Sequence, residues 1–130
     1  MTIFFIVAGL FVLALLTLAG VWWKMRRRGL SPQSAAKVQR AWAAVTALPD
    51  PVRRVMEADK VLDLALSELG FKGSVADKLK KAGPRLSDAN AVWRAHKLRN
   101  HLAHEPGAHV SERDAQDAIR AFERAIGDMR

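Results

Sequence analysis

The sequence predicts an all-α protein, with a single N-terminal transmembrane helix followed by an antiparallel bundle of four or five helices. Three observations lead to this fold class. The chain opens with a long stretch of apolar residues that carries no charge. Each later segment repeats apolar residues at spacings of three and four, and begins with a helix-capping residue. No stretch shows the alternation of a strand, an internal repeat or a glycine-rich phosphate loop.

Residues 1–28 are predicted to form a membrane anchor with a basic flank. Ile3 to Trp23 contains no charged residue, and as a helix this run would be roughly 31 Å long, about the thickness of a bilayer core. Trp22 and Trp23 stand where aromatic rings favour the headgroup boundary. The flank consists of Lys24, Arg26, Arg27 and Arg28. By the positive-inside rule we expect a single-pass protein of the cytoplasmic (inner) membrane, with its N-terminus outside and its C-terminal domain in the cytoplasm.

The composition narrows the class of protein further. A cleaved signal peptide is the alternative to an anchor, but no Lys or Arg precedes the apolar run, and the run is longer than such peptides need. The chain has no cysteine, which excludes disulfides, thiolate catalysis and cysteine-based zinc sites. The net charge of +8 suits an anionic partner, and the basic flank suits anionic lipid headgroups.

The rest of the chain divides into a hinge at residues 29–34 and one helical domain at residues 35–130. The predicted helices cover about residues 32–48, 51–69, 75–82, 89–104 and 112–128. Their starts are marked by Ser31, Asp50, Ser74, Ser87 or Asp88, and Ser111. Proline follows the first two of these caps, and Ser74 and Ser111 each have an Asp three residues later, as in a capping box. Trp42 and Trp93 are assigned to the core because each lies on or beside an apolar stripe.

Asp59 is the exception on the apolar face of the second domain helix. It falls on the stripe itself, where burial of a carboxylate without a partner is costly. A local pair with Lys60 or Lys78 is one explanation. A salt bridge that fixes the guanidinium of Arg99 is the other.

The stretch from Trp93 to Pro106 holds the densest set of chemically active groups. Three of the four histidines lie between positions 96 and 104. His96, Asn100 and His104 are spaced by four, so they stack on one helix face, which Arg99 borders. This face is a candidate functional site.

Arg, Asn and His on one helix face suit the metal-free cleavage of RNA. The guanidinium matches two phosphate oxygens and stabilises charge on phosphorus, imidazole exchanges a proton near neutral pH, and the amide orients either group. His would assist the ribose 2′-hydroxyl or protonate the leaving oxygen. We expect neither a metal nor another cofactor, because the histidines are poorly spaced to share an ion and few carboxylates lie nearby. The alternative is a polar helix surface whose histidines cap or pack against neighbours.

The segment Arg99-Asn100-His101-Leu102-Ala103-His104 resembles the signature of the HEPN superfamily, in which a polar residue follows an Arg and a His comes four to six positions after that Arg. The resemblance continues at residues 57–63, 70–74 and 95–97 and covers about residues 35–128. It is to small bacterial HEPN-like proteins, some with an N-terminal membrane segment. It implies an all-α bundle that pairs, so that two motifs form one cleft. Many HEPN domains are metal-independent endoribonucleases, and others are binding or adaptor modules.

The resemblance also implies roles for particular residues. Arg99 would grip the phosphate, Asn100 would orient, and His104 would be the acid–base residue. Asp59 corresponds loosely to an acidic residue that supports the site in some members. Outside the signature, we expect supporting roles for His96, His101 and Glu105 because they lie near it in sequence, and RNA contacts for the basic residues Lys97, Lys78, Lys80 and Lys81. The expected partners are the lipid bilayer, a second copy of the chain, RNA and an unidentified protein.

Two alternatives stay open at this point. In one, the domain is a non-catalytic membrane adaptor of HEPN fold, and its motif residues merely hold a dimer interface together. In the other, it is an anchored helical domain without a site. Attachment to a membrane departs from the typical soluble HEPN toxin, and so speaks against a freely diffusing ribonuclease.

Overall fold

The computed structural model contains six α-helices and a single turn of 3-10 helix, with no strand in the backbone that it describes. It describes the whole backbone and all side chains except those of residues 25–27, so Arg26 and Arg27 of the basic flank lie outside the described side chains. The helices are α1 (Thr2–Arg27), α2 (Pro32–Thr46), α3 (Pro51–Glu68), α4 (Val75–Ala82), α5 (Ala89–His104) and α6 (Glu112–Gly127), and the 3-10 turn is Gly83–Arg85. The all-α prediction is confirmed.

Helix α1 is long and apolar enough to cross a membrane. Its apolar segment runs from Thr2 to Lys24, and none of that segment is buried against the rest of the protein. Trp22 and Trp23 at its end are about half exposed. A helix with this composition and no protein cover is typical of a span surrounded by lipid.

Helices α2 to α6 begin at the capping residues that the sequence predicted as their starts. In each one the N-cap side chain accepts a hydrogen bond from the backbone N–H three residues later, which satisfies a donor that the helix leaves free. The caps are Ser31, Asp50, Ser74, Asp88 and Ser111. Helix α2 ends at Thr46, two residues earlier than predicted. The reason is Pro49, which disfavours helical backbone at the residue before it.

Bonds between helix ends show which ends lie together. These bonds join Ser34 to Glu68, Arg54 to Glu112, and Ser87 to Asp128. Therefore the start of α2 lies beside the end of α3, and the starts of α3 and α6 lie side by side. The start of α5 lies at the end of α6. Helix α5 consequently begins at the end of the domain that is nearest α1 and finishes, at His104, at the other end.

Helix α3 is the centre of the domain and packs against α2, α4, α5 and α6. Leu62 and Leu66 on α3 and Phe122 on α6 are completely buried. Trp42 on α2 is also buried, as predicted. Asp59 belongs to the buried face of α3 together with Val55 and Leu62, so its side chain in the middle of this helix faces a neighbouring helix instead of solvent.

Candidate functional site

Asp59 and His96 form a buried pair where α3 meets α5. The carboxylate of Asp59 is 2% exposed and His96 is 7% exposed. His96 Nδ1 lies 2.7 Å from Asp59 Oδ1. A carboxylate only accepts, so Nδ1 carries the hydrogen and donates it. In the neutral imidazole, Nε2 is then left as an acceptor that faces along α5.

Asn100 and Arg99 extend this pair into a ring of four side chains. Asn100 Nδ2 lies 3.4 Å from His96 Nε2, and Arg99 donates to Asn100 Oδ1 at 3.1 Å. Arg99 Nε in turn lies 3.5 Å from Asp59 Oδ2. We call Asp59, His96, Arg99 and Asn100 the α5 network. Its bonds run in one direction, from guanidinium to amide to imidazole to carboxylate, which fixes the orientation of both the amide and the imidazole.

The contact between Arg99 and Asp59 is electrostatic and not a hydrogen bond. Arg99 Nε is buried and has no acceptor within hydrogen-bonding geometry, although the second carboxylate oxygen is 3.5 Å away. Its charge helps to compensate the buried carboxylate of Asp59, which would otherwise be expensive to remove from water. About a quarter of the Arg99 side chain is exposed. The network therefore presents a partly exposed, restrained guanidinium.

Trp93 closes one side of the network. Its ring meets the His96 ring edge to face, with 6.2 Å between centroids and an interplanar angle of 75°. Trp93 is partly buried against the core. An imidazole held between a carboxylate and an indole has little freedom to rotate, so His96 is a rigid part of the fold.

The other residues expected at the site lie around the last turn of α5. His101, His104 and Glu105 are all exposed. His104 is the last residue of α5, and Glu105 is its C-cap. Five positions of an α-helix correspond to about 140° around the axis. Arg99 and His104 of one chain therefore leave α5 in different directions, and the α5 network does not include His104.

The basic residues predicted to contact RNA separate into two groups. Lys97, Lys80 and Lys81 are exposed. Lys78 is buried, and its ammonium donates to Asp63 Oδ1 at 2.6 Å and to Ser67 Oγ at 2.7 Å. Lys78 thus ties α4 to α3, which leaves its charge engaged within the domain.

The structure decides between the two partners that the sequence offered for Asp59. Lys60 bonds to Glu57 at 2.8 Å, and Lys78 is occupied elsewhere, so the local pair is wrong. The predicted contact with Arg99 is present. Sequence reasoning missed His96 as the nearest partner. The sequence did contain an indication of this contact. His96 lies one turn after the apolar Val92 and one turn before the polar Asn100, so it stands at the border between the apolar and polar faces of α5.

No protein-family model matches the chain, and no curated protein or solved structure matches it significantly. The resemblance of residues 99–104 to the HEPN signature therefore stays a prediction. Among the described residues, no three His, Asp or Glu side chains come together as they would to hold a metal ion.

Proposed function

We propose that this chain is a membrane-tethered, HEPN-like helical domain that binds RNA and cleaves it without a metal, at a site formed by two copies. The observation that carries the proposal is the guanidinium of Arg99, restrained by Asp59 and Asn100 and still partly exposed. A restrained guanidinium favours binding of a phosphodiester, because little side-chain entropy is lost when the anion arrives.

The chemistry assigned to the site is attack by the ribose 2′-oxygen on the adjacent phosphorus. The bond from phosphorus to the 5′-oxygen breaks, and a 2′,3′-cyclic phosphate forms. The imidazole of His104 from one copy takes the proton from the 2′-hydroxyl beside the phosphate held by Arg99 of the other copy, and the imidazolium then returns this proton, through water, to the departing 5′-oxygen. Arg99 stabilises the negative charge that builds up on the phosphoryl oxygens.

A site shared by two copies accounts for the positions of the motif residues. Arg99 and His104 of one chain point about 140° apart around α5, so a single copy does not bring them to one phosphate by helix geometry alone. His104 lies exposed at a helix end, where a second copy can approach it. The resemblance to HEPN domains supports the same arrangement.

The tether limits where this reaction would occur. With α1 in a membrane, the basic residues Lys24 and Arg28 favour a cytoplasmic position for the domain by the positive-inside rule. We infer a single-pass protein of the cytoplasmic membrane that acts on RNA near that membrane. Labelling of a single introduced cysteine from each side of intact cells tests this orientation, since the chain has no cysteine of its own.

A cleavage assay tests the catalytic proposal. The full chain in lipid nanodiscs is incubated with mixed end-labelled RNAs in EDTA, beside Arg99→Ala, His104→Ala and the control Arg113→Ala, which removes an exposed cation from α6. We expect products with 2′,3′-cyclic phosphate ends, and a loss of rate of about 100-fold or more in the first two variants only. Cleavage that persists in both variants would identify a contaminant. A chain that neither binds nor cleaves RNA would refute the proposal.

A non-catalytic adaptor is the second candidate, and a groove between α5 and α6 favours it. The groove has a volume of about 400 Å³, and four of the eight residues that line it are alanines. These are Ala91, Ala95, Ala118 and Ala121. Small side chains let a helix of a partner approach closely. If this reading holds, His104→Ala weakens the dimer, while affinity for RNA is negligible in every variant.

A further inference from the structure

We propose that the end of the helical domain nearest α1 docks onto anionic phospholipid headgroups of the bilayer that α1 enters. This end, here called the basic end, consists of the linker at residues 28–30, the loop at residues 70–74, helix α4 and the 3-10 turn Gly83–Arg85. It exposes Arg28, Lys72, Lys80 and Lys81. The exposed Lys24 precedes it in α1, and Arg130 lies against its Gly29. The inference concerns a surface distinct from the proposed RNA site.

The linker between α1 and the domain is fixed to the domain by two bonds. Leu30 N donates to Met129 O at 2.7 Å. The guanidinium of Arg85 donates to the carbonyl oxygen of Arg28. These bonds hold the linker against the end of α6 and the 3-10 turn, where sequence reasoning expected a hinge. The domain therefore keeps the basic end towards the place where α1 leaves the membrane.

The distance from the membrane boundary to the basic end is short. Helix α1 continues to Arg27 beyond its interfacial Trp23, so five residues, or about 8 Å of helix, separate Trp23 from Arg28. The negative potential of an anionic leaflet acts over a Debye length, about 8–10 Å at physiological ionic strength. Arg28, where the basic end begins, consequently lies within the range of that potential, and the docking that we propose would bring Lys72, Lys80 and Lys81 into it.

The carboxylates at the basic end are engaged inside the domain. Asp77 caps α4 by accepting from Ser74 N at 3.1 Å. Asp128 accepts from Ser87 N at 2.8 Å, and Glu68 bonds to Lys37 at 2.8 Å. The three exposed lysines Lys72, Lys80 and Lys81 have no ion-pair partner within 4.0 Å among the described side chains. Lys81 Nζ donates to Lys72 O at 3.4 Å, and the charge of Asp77 acts on Lys80 and Lys81 only through space, so the three ammonium groups can still approach an external anion.

The direction of α5 keeps this surface apart from the proposed RNA site. Helix α5 starts beside Asp128 at the basic end and has 16 residues, so His104 lies about 24 Å further along the axis. A domain that rests on headgroups by its basic end would leave His104 directed away from the membrane. Lys80 and Lys81, predicted from sequence to contact RNA, are here assigned to lipid.

Chemical labelling of lysines in the full, unmodified chain tests the proposal. The chain is inserted into nanodiscs of phosphatidylcholine alone, or of phosphatidylcholine with phosphatidylglycerol, and amine-modification rates are read by mass spectrometry. One cation near an anionic surface contributes about a fivefold preference for it. We expect Lys72, Lys80 and Lys81 to react about fivefold more slowly in the anionic discs, and high salt to restore their rates. Lys60 and Lys97, which lie in the middle of α3 and α5, should react equally in both.

Two double variants, each of which removes two positive charges, show which surface is responsible for the protection by anionic lipid. Lys80→Gln combined with Lys81→Gln should remove most of the protection at Lys72. Arg113→Gln combined with Arg120→Gln removes the same charge from exposed positions on α6 and should leave that protection intact.

Equal rates in the two kinds of disc would overturn the proposal, as would an equal slowing of Lys60 and Lys97. Failure of the chain to co-elute with the discs would also overturn it. Protection of Lys80 and Lys81 by added RNA in neutral discs, with no effect of anionic lipid, would assign the basic end to nucleic acid instead.

Discussion

His96 Nδ1 donates to Asp59 Oδ1 across 2.7 Å, and both side chains are buried between α3 and α5. This bond connects the core helix of the domain to the helix that carries Arg99. The packing of α3 against α5 in the core therefore fixes the orientation of the side chains at the candidate site.

Replacement of Asp59 by Ala should destabilise the domain strongly. The change leaves His96 without its acceptor and Arg99 without the nearby negative charge. A buried hydrogen-bond donor left without its acceptor costs about 1–3 kcal/mol, and the loss of the charge beside Arg99 adds to this. Chemical unfolding of the full chain in detergent measures the effect, with Asp117→Ala on the exposed side of α6 as control. A loss no larger than that of the control would mean that the bond is absent in solution.

The single and double variants of Asp59 and His96 should not be additive. Once Asp59 is replaced, the further change His96→Ala removes a side chain that already lacks its partner, so it should cost less than in the wild type. Interacting pairs of this kind show coupling energies of about 0.5–3 kcal/mol. The same unfolding assay gives the coupling energy. Additive losses would indicate that the two side chains do not interact.

Gly29→Ala should release the linker from the domain. A Cβ at this position would lie 2.7 Å from the carbonyl carbon of Arg130 and 2.9 Å from its oxygen, and backbone atoms cannot turn aside as a side chain can. We expect a loss of about 1–3 kcal/mol in the free energy of unfolding. Gly127→Ala is the matched control, because its Cβ would meet nothing within 4 Å. That change should be neutral or stabilising by up to about 1 kcal/mol. Equal stability of the two variants would show that the linker does not lie against Arg130.

The stability of the domain should fall as the pH drops below about 5. Bonding to Lys37 and then to Ser34 lowers the pKa of Glu68 below its usual value of 4.5. Bonding to Arg54 lowers the pKa of Glu112 in the same direction. A depressed pKa stabilises the fold above the unfolded-state value, and this contribution is lost as the pH falls through the folded-state value. Urea midpoints between pH 7 and pH 3 measure the loss. In Glu68→Gln, stability should fall less steeply between pH 5 and pH 3 than in the wild type. An equally steep fall would contradict the contribution assigned to Glu68.

The helices were predictable from sequence because their signals are local. Each N-cap residue bonds within its own first turn, as Asp50 does with Arg53 N, so no knowledge of packing is required. The partner of Asp59 was not predictable in this way. His96 is 37 positions away, and only the packing of α5 on α3 brings the two side chains together. The nearby Lys60 pairs with Glu57 on its own side of the helix.

The same distinction between local signals and packing explains why the candidate site was predicted only in part. Arg99 and Asn100 lie together as expected, because they are neighbours on one helix. Lys78 was expected to contact RNA, but it is buried against α3, where Asp63 and Ser67 satisfy its ammonium. The sequence of α4 alone does not reveal which face α3 covers.

Complementation between Arg99→Ala and His104→Ala tests the central claim most directly. Each variant alone lacks one motif residue, whereas a mixed dimer retains one Arg99 and one His104 on different chains. The account predicts that each variant cleaves RNA very slowly in EDTA, and that mixing them under conditions that exchange subunits restores a substantial part of the wild-type rate. If the mixture stays as inactive as the separate variants while mixed dimers form, or if the wild type itself does not cleave RNA, the shared site does not exist.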